Sequence, residues 1–507
     1  MVERRKVLGL TSINLLLAVI GVLSTVQTSW IFGADRRTDI WFAASALQAS
    51  MLGLVQSGQL SEIFLPEYIR LKSERGSEHA RACYSVVLNW TILASVFVAL
   101  LAFCLLRPIV NYIGAGFATD EREMLTTLFI WLLPLLPFQV IAGVQQMLGN
   151  AEGFFGRFEI PVAVGAALAL VMVATTHPLL GIGSLVLSQW VMQAVAFLGR
   201  LVMLRRAGFR HRWSLRAEGF SVSPIIKQLG WTTLYVSVTH AYLISFRKSL
   251  GLLPSGVLSA FGYAELLYNR SASLFLRPVA TVFFTHVSER SNSSTAEILA
   301  SIQSALARYL EMYVLLAACL IPSLDFLIKG LWSGPRFGEN LLNLTTIALL
   351  WLFLAQILQA QSQVQRKLNI AMGLFRQQYQ GFILVQLVCL LLAPYLVSLM
   401  GFRGAVISVV INTAGFMFAG LFITWRHNAK LITSFPPRRI TAAALFAVPG
   451  ILAGRQVAKI LCDIVPQHES LGLEKITSIF VAGGAAAVSV FMLLLLRFIY
   501  RRYVAIA

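Results

Sequence analysis

Two arginines seven residues apart, Arg270 and Arg277, lie inside the apolar stretch VLSAFGYAELLYNRSASLFLRPVATVFF, together with Glu265 and Asn269. Seven residues is close to two turns of an α-helix, so both guanidinium groups project from one face. A guanidinium offers a planar fork of N–H donors that matches phosphate oxygens bidentately, and the match is strongest where water is excluded. The pair is therefore a candidate diphosphate site. In the competing reading, Glu265 neutralises one arginine while the other runs its stem out to an interface. Pro278, directly after Arg277, marks a place where the helix can break.

Other polar groups are set into apolar runs, where each costs several kcal/mol unless it faces protein or water. Asn14, Ser24 and Gln27 belong to the first run, Ser45, Gln48 and Gln59 to the second, and His240 and Arg247 to the seventh. Ser45, Gln48 and Gln59 fall roughly on one helical face, as residues lining a polar cavity between helices would. Helix packing through small and polar residues is the alternative. Glu62 and Glu67 flank Pro66, a pattern of a kinked helix end or of a gate. Asp39 opens the second run, where a carboxylate complements a helix N-terminus. The glutamines 356, 359, 361, 363 and 365 either hydrogen-bond sugars or form an interfacial helix end.

No known catalytic pattern accompanies these groups. The chain has no nucleotide-binding glycine loop, no HExxH and no Asp-x-Asp motif, so it is expected not to be an enzyme and to carry no catalytic residue. Five cysteines lie singly, without the paired spacing of a zinc site or a disulfide framework. No metal and no cofactor are expected; transport would run on the membrane potential or an ion gradient.

The elements that position these residues are apolar helices. Of 507 residues 57% are hydrophobic and 12% charged, with mean hydropathy +0.75, against roughly a quarter charged in soluble domains. The fold class is an all-α polytopic membrane protein. Fourteen spans are expected. The first six run Leu8–Phe32, Asp39–Ile63, Tyr84–Leu106, Leu125–Leu148, Ile160–Thr175 and Leu179–Leu201. The next six are Ile226–Phe246, Leu258–Phe284, Leu306–Leu327, Leu341–Gln361, Tyr379–Leu399 and Gly404–Trp425, followed by Ile440–Val465 and Ile476–Phe498.

About 27 basic residues fall in connections on one side and about 12 on the other, which places both termini in the cytoplasm. The same distribution accounts for the net charge of +19 without nucleic acid. An internal repeat at an offset near 220 residues aligns Ala44 with Ala264, Phe64 with Phe284 and Asn150 with Asn369. It suggests two six-helix lobes of like topology, residues 1–216 and 217–430, with two extra helices over 431–507.

The segment IFGADRRTDIWFAA, followed by SGQLSEIFLPEY, resembles the MurJ/MviN lipid II flippase family, as does LPSGVLSAFGYAELLYNRSASLFLRPVATVFFTHVSE. The resemblance extends to the wider superfamily of multidrug, oligosaccharidyl-lipid and polysaccharide exporters. It implies two lobes around a central cavity, alternating access, and a groove for a polyprenyl tail formed by the last two helices. The implied partner is a polyprenyl-diphosphate-linked glycan lipid within a bacterial inner membrane, alongside membrane lipids and glycan-assembly proteins. The resemblance also makes Asp39 a candidate outer gate, pairing with Arg247 or Lys248. One departure stands out: family members that handle lipid II carry arginines where this chain has Ala18, Ser24, Leu52 and Leu266. That favours an exopolysaccharide repeat unit over lipid II as cargo. An organic-cation antiporter of the same superfamily is the reading from a different class.

Overall fold

Inside a membrane only intrahelical hydrogen bonds satisfy every backbone N–H and C=O of a spanning segment, so long apolar runs fold as helices. The computed structural model describes residues 2–56, 59–154, 157–218, 220, 223–270, 320–332, 337–429, 449, 451–461 and 478–492. Among these, regular structure is helical, with no strand longer than an isolated bridge such as Ala217–Phe220. The helices are α1 (Val2–Phe32), α2 (Arg36–Gln56), α3 (Gln59–Cys104), α4 (Leu106–Ile113), α5 (Thr119–Leu132), α6 (Leu135–Ala151), α7 (Ile160–Leu180), α8 (Gly183–Arg206) and α9 (Ser223–Gly251). After α10 (257–270) come α11 (Leu324–Trp332), α12 (Glu339–Ala371), α13 (Phe375–Met400), α14 (Phe402–His427), α15 (451–461) and α16 (Ser478–Met492). Seven of the described helices are long and apolar enough to cross a membrane, eight if the bent pair α5–α6 counts as one span. The chain is a multi-pass membrane protein. The second half of the eighth expected span, most of the ninth and parts of the last two lie outside the described residues, Arg277 among them.

Several boundaries differ from the hydropathy reading. Of the second expected span, residues up to Gln56 are described within α2, and Gln59 and Glu62 within α3. Residues 64–83, expected as a connection, are helical within α3 apart from a break at Gly76 (φ 85°). Hydropathy misses this stretch because its helix is held by charge pairing and partial burial. Arg70 bridges Glu67 at 2.7 Å and Glu74 at 2.9 Å, one turn away on either side, while Phe64, Tyr68 and Leu71 are buried. The fourth expected span bends by 41° between α5 and α6, where Pro134 has no N–H to continue the ladder. The helix of the fifth expected span, α7, continues to Leu180, so Leu179 lies in its last turn rather than starting the sixth.

Contacts divide the chain into two compact units. One is Met1–Gln27, Arg36–Leu258 and Gln386–Tyr395; the other is Thr28–Asp35, Ser259–Val385 and Leu396–Ala507. By contacts α9 goes with the first unit, whereas the internal repeat, a different criterion, groups it with the second lobe. In the first unit α7 packs along α8, α3 along α6, and α2 against both α5 and α9. In the second, α12 packs along α14. Ala44 and Ala264, matched by the repeat, are both fully buried.

One end of the first unit has its own core, including Phe64, Tyr68, Tyr84, Met147, Phe158, Leu204 and Phe209. At its edge Tyr68 donates to Glu152 at 2.7 Å and Lys72 does so at 2.8 Å. Burial alone would raise the Glu152 carboxyl, but the hydrogen bonds from Lys72 and Tyr68 outweigh it and hold the group below the usual carboxylate range. Arg200, near the end of the sixth expected span, is buried in α8. It donates to the carbonyls of Phe158 at 3.0 Å and Ala142 at 2.9 Å.

Candidate functional site

Asp39 lies in the first turn of α2 and is fully buried. Its Oδ2 accepts the Gly256 N–H at 2.8 Å and lies 3.7 Å from Arg36 Nη1. Gly256 has φ 87°, a conformation that glycine adopts without Cβ strain, and it closes the turn Leu253-Pro254-Ser255-Gly256 that leads into α10. Arg36 extends the cluster. It reaches the carbonyls of Gly251 at 3.4 Å and Gly116 at 3.5 Å, lies over the Phe117 ring, and approaches Glu121 at 3.6 Å. The start of α2, the α4–α5 connection and the α9–α10 turn are thus joined within one unit. Asp39 keeps the favourable helix-terminal position, yet Oδ2 bonds an amide 217 residues away rather than capping its own helix. Of its suggested partners, Lys248 lies over the Tyr112 ring at 4.0 Å, and Arg247 is buried in α9.

Further along, α2 and α9 form a polar pair. Both fall short of the apolarity of a spanning helix, and they pack together. Gln48, 8% exposed, donates to the Gln139 amide oxygen. His240 lies so close to Gly53 that a Cβ there would be 1.8 Å from its Nε2. The glycine is what lets an imidazole sit against the α2 backbone. In α1, Gln27 donates to the Leu170 carbonyl of α7 at 2.8 Å, and Ser24 is exposed. Asn14 belongs to α1, and Gln59 and Glu62 to α3; their side chains lie outside the described ones.

In the second unit, Glu265 is half-buried on α10 while Asn269 and Arg270 are exposed near its described end. Tyr268, between them, hydrogen-bonds Gln359 of α12. The glutamine-rich helix end is largely interior. Gln365 donates to Thr424, Thr424 donates to Asn369 Oδ1 at 2.7 Å, and Asn369 Nδ2 donates to Gln378 at 2.5 Å and to the Gly420 carbonyl at 3.1 Å. All four side chains are buried, and together they join α12, α13 and α14. At least Gln365 is therefore committed to a structural network.

The structure brings Asp39, Gln48, His240 and Arg247 into one unit, on the α2–α9 pair and the elements against it. Sequence reasoning missed Arg36, Gln139, Tyr268 and Thr424. Arg36 had a signal, three residues before Asp39; the others face partners far away in the chain. Among the described residues no group of three His, Cys, Asp or Glu side chains is placed to hold a metal ion.

Comparison with known proteins adds four findings. A family profile described as "Lipid II flippase MurJ" matches residues 28–358. A "Probable lipid II flippase MurJ" of Buchnera aphidicola subsp. Baizongia pistaciae (strain Bp) is 20% identical over 295 residues, 57% of this chain and 57% of that protein, so the match spans little more than half of the relative. Among solved structures, "Lipid II flippase MurJ, inward closed conformation" has TM-score 0.74 at 17% identity, covering 98% of this chain and 99% of that one. An inward-facing multidrug resistance MATE family transporter of the MOP superfamily has TM-score 0.61 at 15% identity, over 84% and 98%. The structural likenesses concern the fold. With a family profile over well more than half of its length, the chain belongs to the MurJ family.

Proposed function

We propose that the chain is a flippase that moves an undecaprenyl-diphosphate-linked oligosaccharide from the cytoplasmic to the periplasmic leaflet of a bacterial inner membrane by alternating access. Family membership carries this reading, and a fold likeness along nearly the whole chain supports it. Such a cargo needs cations for its diphosphate, polar groups for its sugars and an apolar slot for its tail. Arg270 and Arg277 would supply the first. Gln48, His240, Asn269 and the polar residues of α1 would supply the second, and the helices over 431–507 the third. Both termini would be cytoplasmic, the lobes 1–216 and 217–430 would rock about the cargo, and the membrane potential or an ion gradient would drive the cycle without a cofactor. Asp39, Arg247 and Glu62 are the gate candidates. The Gly256 amide that Asp39 accepts and the Arg36 guanidinium beside it both belong to its own unit, which supports an anchoring role for it.

For the cargo we favour an exopolysaccharide repeat unit, because Ala18, Ser24, Leu52 and Leu266 stand where the family resemblance implies arginines. Lipid II is the second reading, favoured by the names of the relatives. Depleting the protein and identifying the accumulating lipid-linked intermediate decides between them. Loss of surface polysaccharide in viable cells fits the first; accumulated lipid II with lysis establishes the second. Accumulation of neither removes the flippase reading.

A further inference from the structure

Away from the polar helix pair, the first unit holds a cavity of about 690 Å³ between α3, α6 and α8, within the roughly 300–1,000 Å³ of small-ligand pockets. Ile92, Ile141, Phe197 and Leu201 give it apolar walls. Among the enclosed polar side chains that line it are Tyr84 at 5% exposure and Gln145 at 3%. The hydroxyl of the first and the amide oxygen of the second have no hydrogen-bond partner among the described residues. At the rim stand Arg205, Arg210 and His211, all exposed. Neither arginine has a carboxylate within ion-pair distance among the described residues, whereas neighbouring Arg212 is held by Glu78 at 3.1 Å.

The rim is built by specific contacts. Asn89 of α3 donates to the carbonyls of Arg212 at 3.0 Å and Ser214 at 2.8 Å, and the Trp90 indole donates to the Leu215 carbonyl at 3.2 Å. Arg81 lies over the Phe209 ring at 4.3 Å. The connection after α8 is thereby strapped along α3, which sets its cations at the cavity mouth. Trp90 and Trp213 stay largely exposed beside it. Indoles next to arginines at the end of a membrane bundle mark headgroup depth.

An apolar slot that opens at headgroup depth under guanidiniums with no carboxylate partner among the described residues fits an amphiphile with an anionic head and a hydrocarbon tail. We propose that this cleft binds an anionic phospholipid of the surrounding leaflet, its phosphate against Arg205 and Arg210 and one acyl chain between α3, α6 and α8. The site is separate from the cargo path proposed above and does not depend on it.

Native mass spectrometry of the intact protein in detergent, with phosphatidylglycerol or phosphatidylcholine added, tests the proposal. Two surface arginines correspond to about a thirtyfold preference for the anionic lipid. Arg205→Gln with Arg210→Gln should bring phosphatidylglycerol retention down to that of phosphatidylcholine. Ile92→Trp, which fills the slot and leaves both arginines in place, should also release it. Leu201→Phe is the milder filling variant if thermal unfolding shows that the first does not fold. Equal retention of the two lipids overturns the proposal. So does retention that survives slot filling, which would reduce the site to surface charge, or displacement of the lipid by inorganic phosphate alone.

Discussion

Replacing Asp39 by alanine tests the latch between α2 and the α9–α10 turn most directly. The carboxylate is fully buried and accepts the Gly256 amide at 2.8 Å. Removing it leaves that amide without its acceptor, at a cost of about 1–3 kcal/mol. The ion pair with Arg36 is long, 3.7 Å, and Arg36 is 26% exposed, so its loss adds at most about 1 kcal/mol. A total near 2 kcal/mol corresponds to an about thirtyfold larger open population of the turn. Amide hydrogen exchange over residues 252–258 reads this locally. Asp39→Asn keeps an acceptor and loses only the charge, so about fivefold is expected, close to 1 kcal/mol. Arg36→Gln should loosen the same turn less than Asp39→Ala does. Wild-type exchange over 252–258 in Asp39→Ala would refute the latch.

The close approach of α2 and α9 predicts that Gly53→Ala destabilises the protein by about 1–3 kcal/mol and that adding His240→Ala relieves most of it. Additive losses in detergent unfolding would count against the contact. Asn369→Ala should cost about 3 kcal/mol, because Thr424 and Gln378 lose a buried partner together; a negligible shift in unfolding temperature would show that the network contributes little. Glu152 predicts a pH dependence. Its folded carboxyl lies below the unfolded value of about 4.3, so its stabilisation is complete above that value and is lost as pH falls through the folded one. Unfolding of wild type and Glu152→Gln should differ by about 1 kcal/mol at neutral pH and converge in acid; a pH-independent offset would contradict the assignment. Replacing both Arg270 and Arg277 by glutamine should abolish glycan export at unchanged protein level, and unaltered export would remove them from the diphosphate site.

Where the sequence-based spans went wrong, the cause was a local property other than hydropathy. Residues 64–83 looked like a charged connection, yet ion pairs one turn apart and one buried face make them helical. Pro134 was visible within the fourth span, but not the bend it introduces. The glutamines of α12 read either as sugar ligands or as an interfacial helix end, because composition does not distinguish an amide facing a cavity from one bonded to a neighbouring helix. Gln365 is of the second kind, bonded to Thr424 59 residues away.

The chain by itself determined the membrane class, most helices and the family. Partition between water and hydrocarbon is decided over about 20 consecutive residues, and the family motifs are short and contiguous. The partner of Asp39 could not be found this way. A carboxylate at the head of a helix looks the same whether it caps that helix or bonds an amide elsewhere. Only the fold, by bringing the Gly256 turn against the start of α2 and excluding water there, decided that Asp39 holds the two together.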